Sequence, residues 1–343
     1  MLIKPKMLRE GDKVATISLS WGGAGEPDLK WRYEQGVERL EKVFGLEVVP
    51  MANSLKGSDY LYENPKARAE DLMNAFKDPT IKGIISNIGG SESIRLLPYI
   101  DFDVIRENPK VFIGYSDATI THLFCHKAGI SSFYGPAILT DFAENVEMHD
   151  YTTKALQKTL FSTDVIGEIK PALEWTSERL EWKIENKYTQ RKMHPNQGYE
   201  VLQGNETVQG RLIGGCIEVL EFAKGTTIWP EASYWKDSIL FFETSEDTPE
   251  PVFIEYWLRN YGSQGILQQT KGIVFGKPQH ERYYDEYKEA IGRILRELDL
   301  TDLPVFYNLN FGHTEPKFVL PYGAMAEMDC KNATFSILES SVV

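Results

Sequence analysis

The feature that most restricts the fold is an alternation. Between Val14 and Ala128, short runs of β-branched and apolar residues take turns with stretches whose apolar residues recur at helical spacing. Val14 to Ser18, Leu46 to Val49, Lys82 to Ser86 and Val111 to Ile113 are predicted strands. Predicted helices run from about Asp28 to Phe44, from Asn64-Pro65 through Ala69, Leu72, Met73 and Phe76, and from Ala118 to Ala128; a shorter helical stretch covers Ser93 to Leu97. Asn64 is a good N-cap and Pro65 suits the first helical position. Strands separated by helices imply a parallel sheet with helices on both faces. In such sheets the working groups lie at the carboxyl ends of the strands. Trp21 to Gly25, Gly89-Gly90 and Ser116 all fall there.

One of these strand ends has a chemical signature. Val111-Phe112-Ile113 runs into Gly114-Tyr115-Ser116-Asp117-Ala118 and then a helix. Strand, sharp turn, serine, helix is the geometry that lifts a nucleophilic hydroxyl clear of a sheet and aims helix N–H groups beside it. A serine that merely caps the helix, helped by Asp117, is the competing reading. Gly89-Gly90 divides in the same way. A turn needing positive φ explains it, and so does an oxyanion hole built from a backbone N–H with no side chain in the way. Neither G-x-G-x-x-G nor a Gly-Lys-Ser/Thr phosphate loop is present.

Composition excludes several functions. Asp and Glu outnumber Lys and Arg by 50 to 37, a formal net charge of -13, which disfavours nucleic acid or an anionic membrane as a partner. The three cysteines, Cys125, Cys216 and Cys330, make no disulfide framework and no C-x-x-C site, so a reducing cytoplasm is expected. No signal-like h-region or membrane-spanning run is present. A chain of 343 residues suggests two domains. The expected divisions are 1–165, a connection over 166–204, and 205–343.

Within that connection, 171–199 carries Trp175, Arg179, Trp182, Tyr188, Arg191 and His194 without sustained periodicity. It reads as a lid or binding loop, or as a linker with two surface tryptophans. The second half begins at Val208 to Gly215, followed by a helix through Ile217, Leu220 and Phe222. Strands are predicted at Ser238 to Phe242 (ending at Glu243), Gly272 to Phe275, Pro304 to Tyr307, Phe318 to Leu320 and Thr334 to Leu338, and helices at about Pro251 to Asn260 and Tyr284 to Leu298.

Ser116 needs a base. His122 and His126 share a helix face at i,i+4, but no H-E-x-x-H glutamate or third ligand accompanies them, and no metal is expected. His313 follows a glycine on a strand-to-loop exit, where a general base belongs. Glu243 is an odd carboxylate to half-bury unless it orients an imidazole.

Together these motifs resemble a family. Asn-Ile-Gly-Gly-Ser (87–91), Gly-Tyr-Ser-Asp (114–117), Tyr-Gly-Pro (134–136), Gly-Arg-Leu-Ile-Gly-Gly (210–215), Phe-Glu-Thr (242–244) and Phe-Gly-His (311–313) are similar, in this order, to the LD-carboxypeptidase family of serine peptidases. The resemblance spans about Gly11 to Asp329. It implies Ser116 as nucleophile, a neutral His313 as base, Glu243 as its orienter, and an oxyanion hole from the Gly90 and Asp117 N–H groups. The long 171–199 connection resembles the microcin C immunity branch, in which such a loop closes over substrate. Cys216 departs from the asparagine that many relatives carry after Gly-Gly.

The expected fold is therefore α/β: an N-terminal parallel, flavodoxin- or amidotransferase-like sheet, and a smaller mixed, β-rich C-terminal domain supplying Glu243 and His313. The expected activity is hydrolysis of an amide in a small peptide or peptidyl-nucleotide, without a cofactor. Murein tetrapeptide cleavage and non-catalytic ligand binding are the alternatives, and the resemblance leaves room for a homodimer. Trp175, Trp182, Cys216 and Asp247, the last beside Glu246, are the candidate substrate contacts.

Overall fold

β-Branched and aromatic runs too short for helices become strands, and turn residues separate them. The computed structural model describes residues 1–343. The first strands are β1 Lys13–Ile17, β2 Glu47–Pro50, β3 Ile81–Ser86, β4 Val111–Gly114 and β5 Phe133–Tyr134. Then follow β6 Gly167–Ile169, β7 Glu174–Trp175, β8 His194–Pro195, β9 Glu200–Gln203, β10 Thr207–Cys216 and β11 Ser238–Glu243. The last are β12 Gly272–Gly276, β13 Val305–Leu309, β14 Leu320–Pro321, β15 Met325–Asp329 and β16 Thr334–Ile337.

The first sheet has six strands in the order β14-β5-β4-β3-β1-β2, parallel except for β14. The second has eight, ordered β6-β16-β15-β10-β11-β12-β13-β9. Its centre, β10 to β13, is parallel, and antiparallel strands flank it on both sides. Two departures from the sequence reading matter. The strand near Phe318 to Leu320 crosses to the first sheet, where Leu320 pairs with Tyr134. The segment after Leu160 is not only a connection, since β6 and β9 form the two edges of the second sheet.

Residues of period two send alternate side chains to opposite faces. In β4, Phe112 enters one apolar layer, whereas Val111 and Ile113 enter another. The second layer lies under the helix Lys30–Phe44 and holds Tyr33, Leu40 and Phe44. The first is continuous with the core of the C-terminal domain, joining Ile120, Leu123 and Phe124 to Ile217, Leu220 and Phe241. The carboxyl ends of β4 and β11 are thereby fixed relative to each other. No helix is long and apolar enough to cross a membrane.

Candidate active site

Ser116 stands where β4 must turn into the helix Thr119–Ala128. It adopts φ +61°, a left-handed conformation that costs a non-glycine residue on the order of 1 kcal/mol or more. Its neighbours hold it there. The Ser116 N–H donates to the Tyr134 hydroxyl at 3.1 Å. His122 Nε2 donates to the Gly114 carbonyl at 2.9 Å, and its Nδ1 accepts from the Ser132 hydroxyl at 2.9 Å. Both His122 nitrogens are thus engaged, and burial pushes the ring down to about 3. The His126 ring packs edge-on against Tyr234 at 4.5 Å. This pair is part of the core rather than a ligand set.

The Gly89-Gly90 turn approaches the serine so closely that only glycine fits. A Cβ at Gly89 would lie 2.8 Å from Ser116 Oγ, and Gly90 takes φ +143° with Ser20 Oγ 2.3 Å from where a Cβ would stand. Asp117 fastens this turn to the elbow. One of its carboxylate oxygens accepts the Glu92 N–H at 2.8 Å, the Ser93 N–H at 2.8 Å and the Ser93 hydroxyl at 2.7 Å. Gly89 thus lies against Ser116, and Gly90 lines the same cavities as the serine.

Glu243 is the last residue of β11 and is buried. Its Oε1 accepts from the Tyr134 hydroxyl at 2.5 Å, and its Oε2 accepts from His313 Nδ1 at 2.6 Å. Gly312 makes the second contact feasible, because a Cβ there would sit 2.6 Å from Glu243 Oε2. The other ring nitrogen, Nε2, lies 2.9 Å from Glu246 Oε2. Burial disfavours a charged ring, but Glu243 and then Glu246 outweigh it and push His313 up to about 10. The hydrogen bond from His313 in turn holds the Glu246 carboxyl below its usual range. Two carboxylates thus favour the protonated form of the ring, Glu243 at Nδ1 and Glu246 at Nε2.

Two cavities meet at Ser116. One, of about 560 Å³, is lined by Ser116, His313, Trp21, Trp182, Arg32 and Glu246 among others. The other, of about 460 Å³, shares Gly90, Ser116 and Glu246 and adds Cys216 and Asp247. Trp21 stacks on Trp182 with ring centres 6.4 Å apart and planes at 25°. The Arg32 guanidinium lies 4.7 Å from the Trp182 ring centre and is fixed by the Leu139 carbonyl at 2.6 Å and Asn145 Oδ1 at 2.9 Å. The loop carrying Trp182 is pinned by Arg191, which bridges Glu144 and Glu315, the latter at 3.0 Å. Arg179, on the same loop, reaches Glu246 at 3.5 Å.

Trp175 requires a correction. It is 5% exposed and lines neither cavity. Its strand pairs with β8, and its ring covers the Lys277 ammonium at 4.2 Å, so it anchors the loop. Tyr134, Trp21 and Arg32 went unread in the sequence as site residues. Tyr134 was visible within Tyr-Gly-Pro, and Trp21 as a large aromatic in a glycine-rich turn at a strand end. Arg32 sits among the ordinary charges of a helix and carries no local signal.

The LD-carboxypeptidase N-terminal domain matches residues 14–135 and the LD-carboxypeptidase C-terminal domain residues 209–328. The microcin C7 self-immunity protein MccF of Escherichia coli is 30% identical over 97% of this chain and 94% of its own. The "Probable murein peptide carboxypeptidase" of Bacillus subtilis is 28% identical over 99% and 95%. Among solved structures, an MccF-like protein from Streptococcus pneumoniae in complex with AMP superposes with a TM-score of 0.88 at 34% identity, over 95% of this chain and 98% of that one. MccF in complex with aspartyl sulfamoyl adenosine gives 0.85 at 27% identity, over 99% and 100%.

Proposed function

Because the chain belongs to the LD-carboxypeptidase family of serine-type hydrolases, we propose that Ser116, His313 and Glu243 act as a triad that hydrolyses an amide joining an acyl residue to a nucleotide-like group. The observation that carries this reading is the Glu243–His313 contact of 2.6 Å beside a cavity that a strained Ser116 also lines.

With its Nε2 proton removed, His313 keeps Nδ1–H on Glu243 and accepts the Ser116 proton as Oγ bonds to the acyl carbon. The Gly90 and Asp117 N–H groups hold the developing oxyanion. The carbon–nitrogen bond then breaks, and Nε2–H protonates the leaving nitrogen. Water, deprotonated by Nε2, attacks the acyl-serine and releases the acid and the free hydroxyl. Glu243 stabilises the imidazolium at each stage.

The leaving portion belongs in the larger cavity, where Trp21 and Trp182 offer flat faces suited to a purine. Two relatives favour the same assignment: one binds AMP and the other aspartyl sulfamoyl adenosine. The test compares kcat/KM for an aminoacyl sulfamoyl adenosine with that for a murein tetrapeptide, alongside fluorophosphonate labelling of Ser116. Faster turnover of the nucleotide is expected. The reverse preference moves the assignment to murein peptides, and absence of both labelling and turnover moves it to a binding protein.

A further inference from the structure

If the leaving portion occupies the larger cavity, an acyl group on Ser116 projects into the smaller one. The wall of that chamber is electrically one-sided. It carries the carboxylates of Glu218, Glu246 and Asp247, and no lysine, arginine or histidine. The same lining includes an aromatic pair, Phe253 and Trp257, stacked at 5.8 Å. Carboxylates and aromatic faces both attract cations. Glu218 is held in place by the Ser245 N–H at 3.1 Å and hydroxyl at 2.6 Å, with the Cys216 thiol at 3.3 Å.

Glu246 links this chamber to the chemistry. Its carboxylate sits 2.9 Å from His313 Nε2, the nitrogen that has to face Ser116. While that contact lasts, His313 cannot accept the serine proton. Glu246 thus faces His313 through Oε2 and Arg179 through Oε1, the latter at 3.5 Å. We propose that Glu246 is a specificity-determining residue which, with Asp247 and Glu218, takes a cationic acyl side chain of lysyl or arginyl type. Its transfer from Nε2 to that cation frees the ring for Ser116. The carboxylate changes ion-pair partner, and the one covalent bond that breaks is His313 Nε2–H, whose proton passes to solvent water as the ring becomes neutral. An anionic acyl residue would meet three carboxylates and leave Glu246 where it is. The inference rests on the peptidase reading above for its orientation of the substrate.

Lysyl, norleucyl and glutamyl sulfamoyl adenosine test it, since norleucine keeps the length of lysine without the charge. Binding is measured by calorimetry in the Ser116→Ala protein, with and without Glu246→Gln or Asp247→Asn. The lysyl compound is expected to bind at least tenfold more tightly than the norleucyl, and the glutamyl more weakly than either. Each added substitution is expected to compress that order to within a few-fold. Equal Kd values for the three compounds, or an order unchanged by both substitutions, overturn the inference. Hydrolysis by the unsubstituted enzyme is scored separately. No turnover of any compound, with the charge order in Kd intact, removes the peptidase reading and not the charge selection.

Discussion

The Tyr134 hydroxyl donates to Glu243 Oε1 at 2.5 Å and accepts the Ser116 N–H at 3.1 Å. Tyr134 belongs to the first sheet and Glu243 to the second, so one phenol couples the nucleophile's backbone to the carboxylate behind His313. Burial first, and the Glu243 charge after it, keep that hydroxyl protonated well past neutrality. Tyr134→Phe leaves a buried carboxylate oxygen without its donor, at a cost of about 1–3 kcal/mol. A fall in kcat of about ten- to a hundredfold is expected, with KM changed by no more than about threefold. Steady-state kinetics with a thermal melt checks this; an unchanged kcat refutes the coupling.

Ser116→Ala should abolish hydrolysis by several orders of magnitude while leaving ligand Kd nearly unchanged. Retention of more than about a tenth of kcat excludes Ser116 as nucleophile. Gly89→Ala is the sharper probe of geometry. Its Cβ would press to 2.8 Å from Ser116 Oγ, so it is expected to lower kcat by about a hundredfold or more by displacing the nucleophile, although it removes no catalytic group.

The pH dependence of kcat/KM reports the free enzyme. His313 is held up at about 10 by Glu243 and Glu246 against the effect of burial. The basic ring form therefore appears only as pH rises above the ordinary histidine range, and the rising limb of kcat/KM should lie alkaline of about 6.5. Glu246→Gln removes one of the two carboxylates, and the limb should move toward lower pH. A limb unmoved by the substitution shows that Glu246 does not load the ring in solution.

Trp182→Ala removes one face of the indole pair. Base–aromatic stacking contributes roughly 1–3 kcal/mol, so kcat/KM for a nucleotide-bearing substrate should fall about 5- to 150-fold. A plain peptide should be hardly affected. Trp175→Ala should show no such split, since Trp175 is away from both cavities. Equal losses on both substrates for Trp182→Ala would reduce the loop to a scaffold.

His126 tests stability rather than chemistry. Burial lowers it to about 4, below its unfolded value, so protons bind the unfolded chain more readily. Stability is then lost as pH falls below about 6.5, and the loss levels off near 4. His126→Phe should abolish about 2 kcal/mol of that acid sensitivity, measured as ΔG of unfolding at pH 7 and pH 4.5.

What was legible in the sequence follows from range. β4 and its elbow are local, because a strand, a tight turn and a helix each leave marks within a few residues. His313 was marked by the glycine before it, and Glu243 by its place at the end of an apolar strand. Long-range pairings left no such marks. Nothing near Leu320 indicates that it joins the first sheet beside Tyr134, and β5 is only two residues long. Glu246 was legible as an acidic neighbour of Glu243, but its contact with His313 Nε2 at 2.9 Å depends on the course of the loop and left no mark. Trp175 misled because an aromatic in a polar loop suggests a ligand, whereas here it packs on Lys277.

The apolar layer that runs from Ile120 and Phe124 through to Leu220 and Phe241 bears on how the chain reaches its native state. Each half presents the other with a broad greasy face that water would otherwise have to cover. Residues 1–165 or 205–343 expressed alone should aggregate rather than yield a separate domain. The two halves are best regarded as one cooperative unit, whose triad can assemble only after the last strands of the chain have been made.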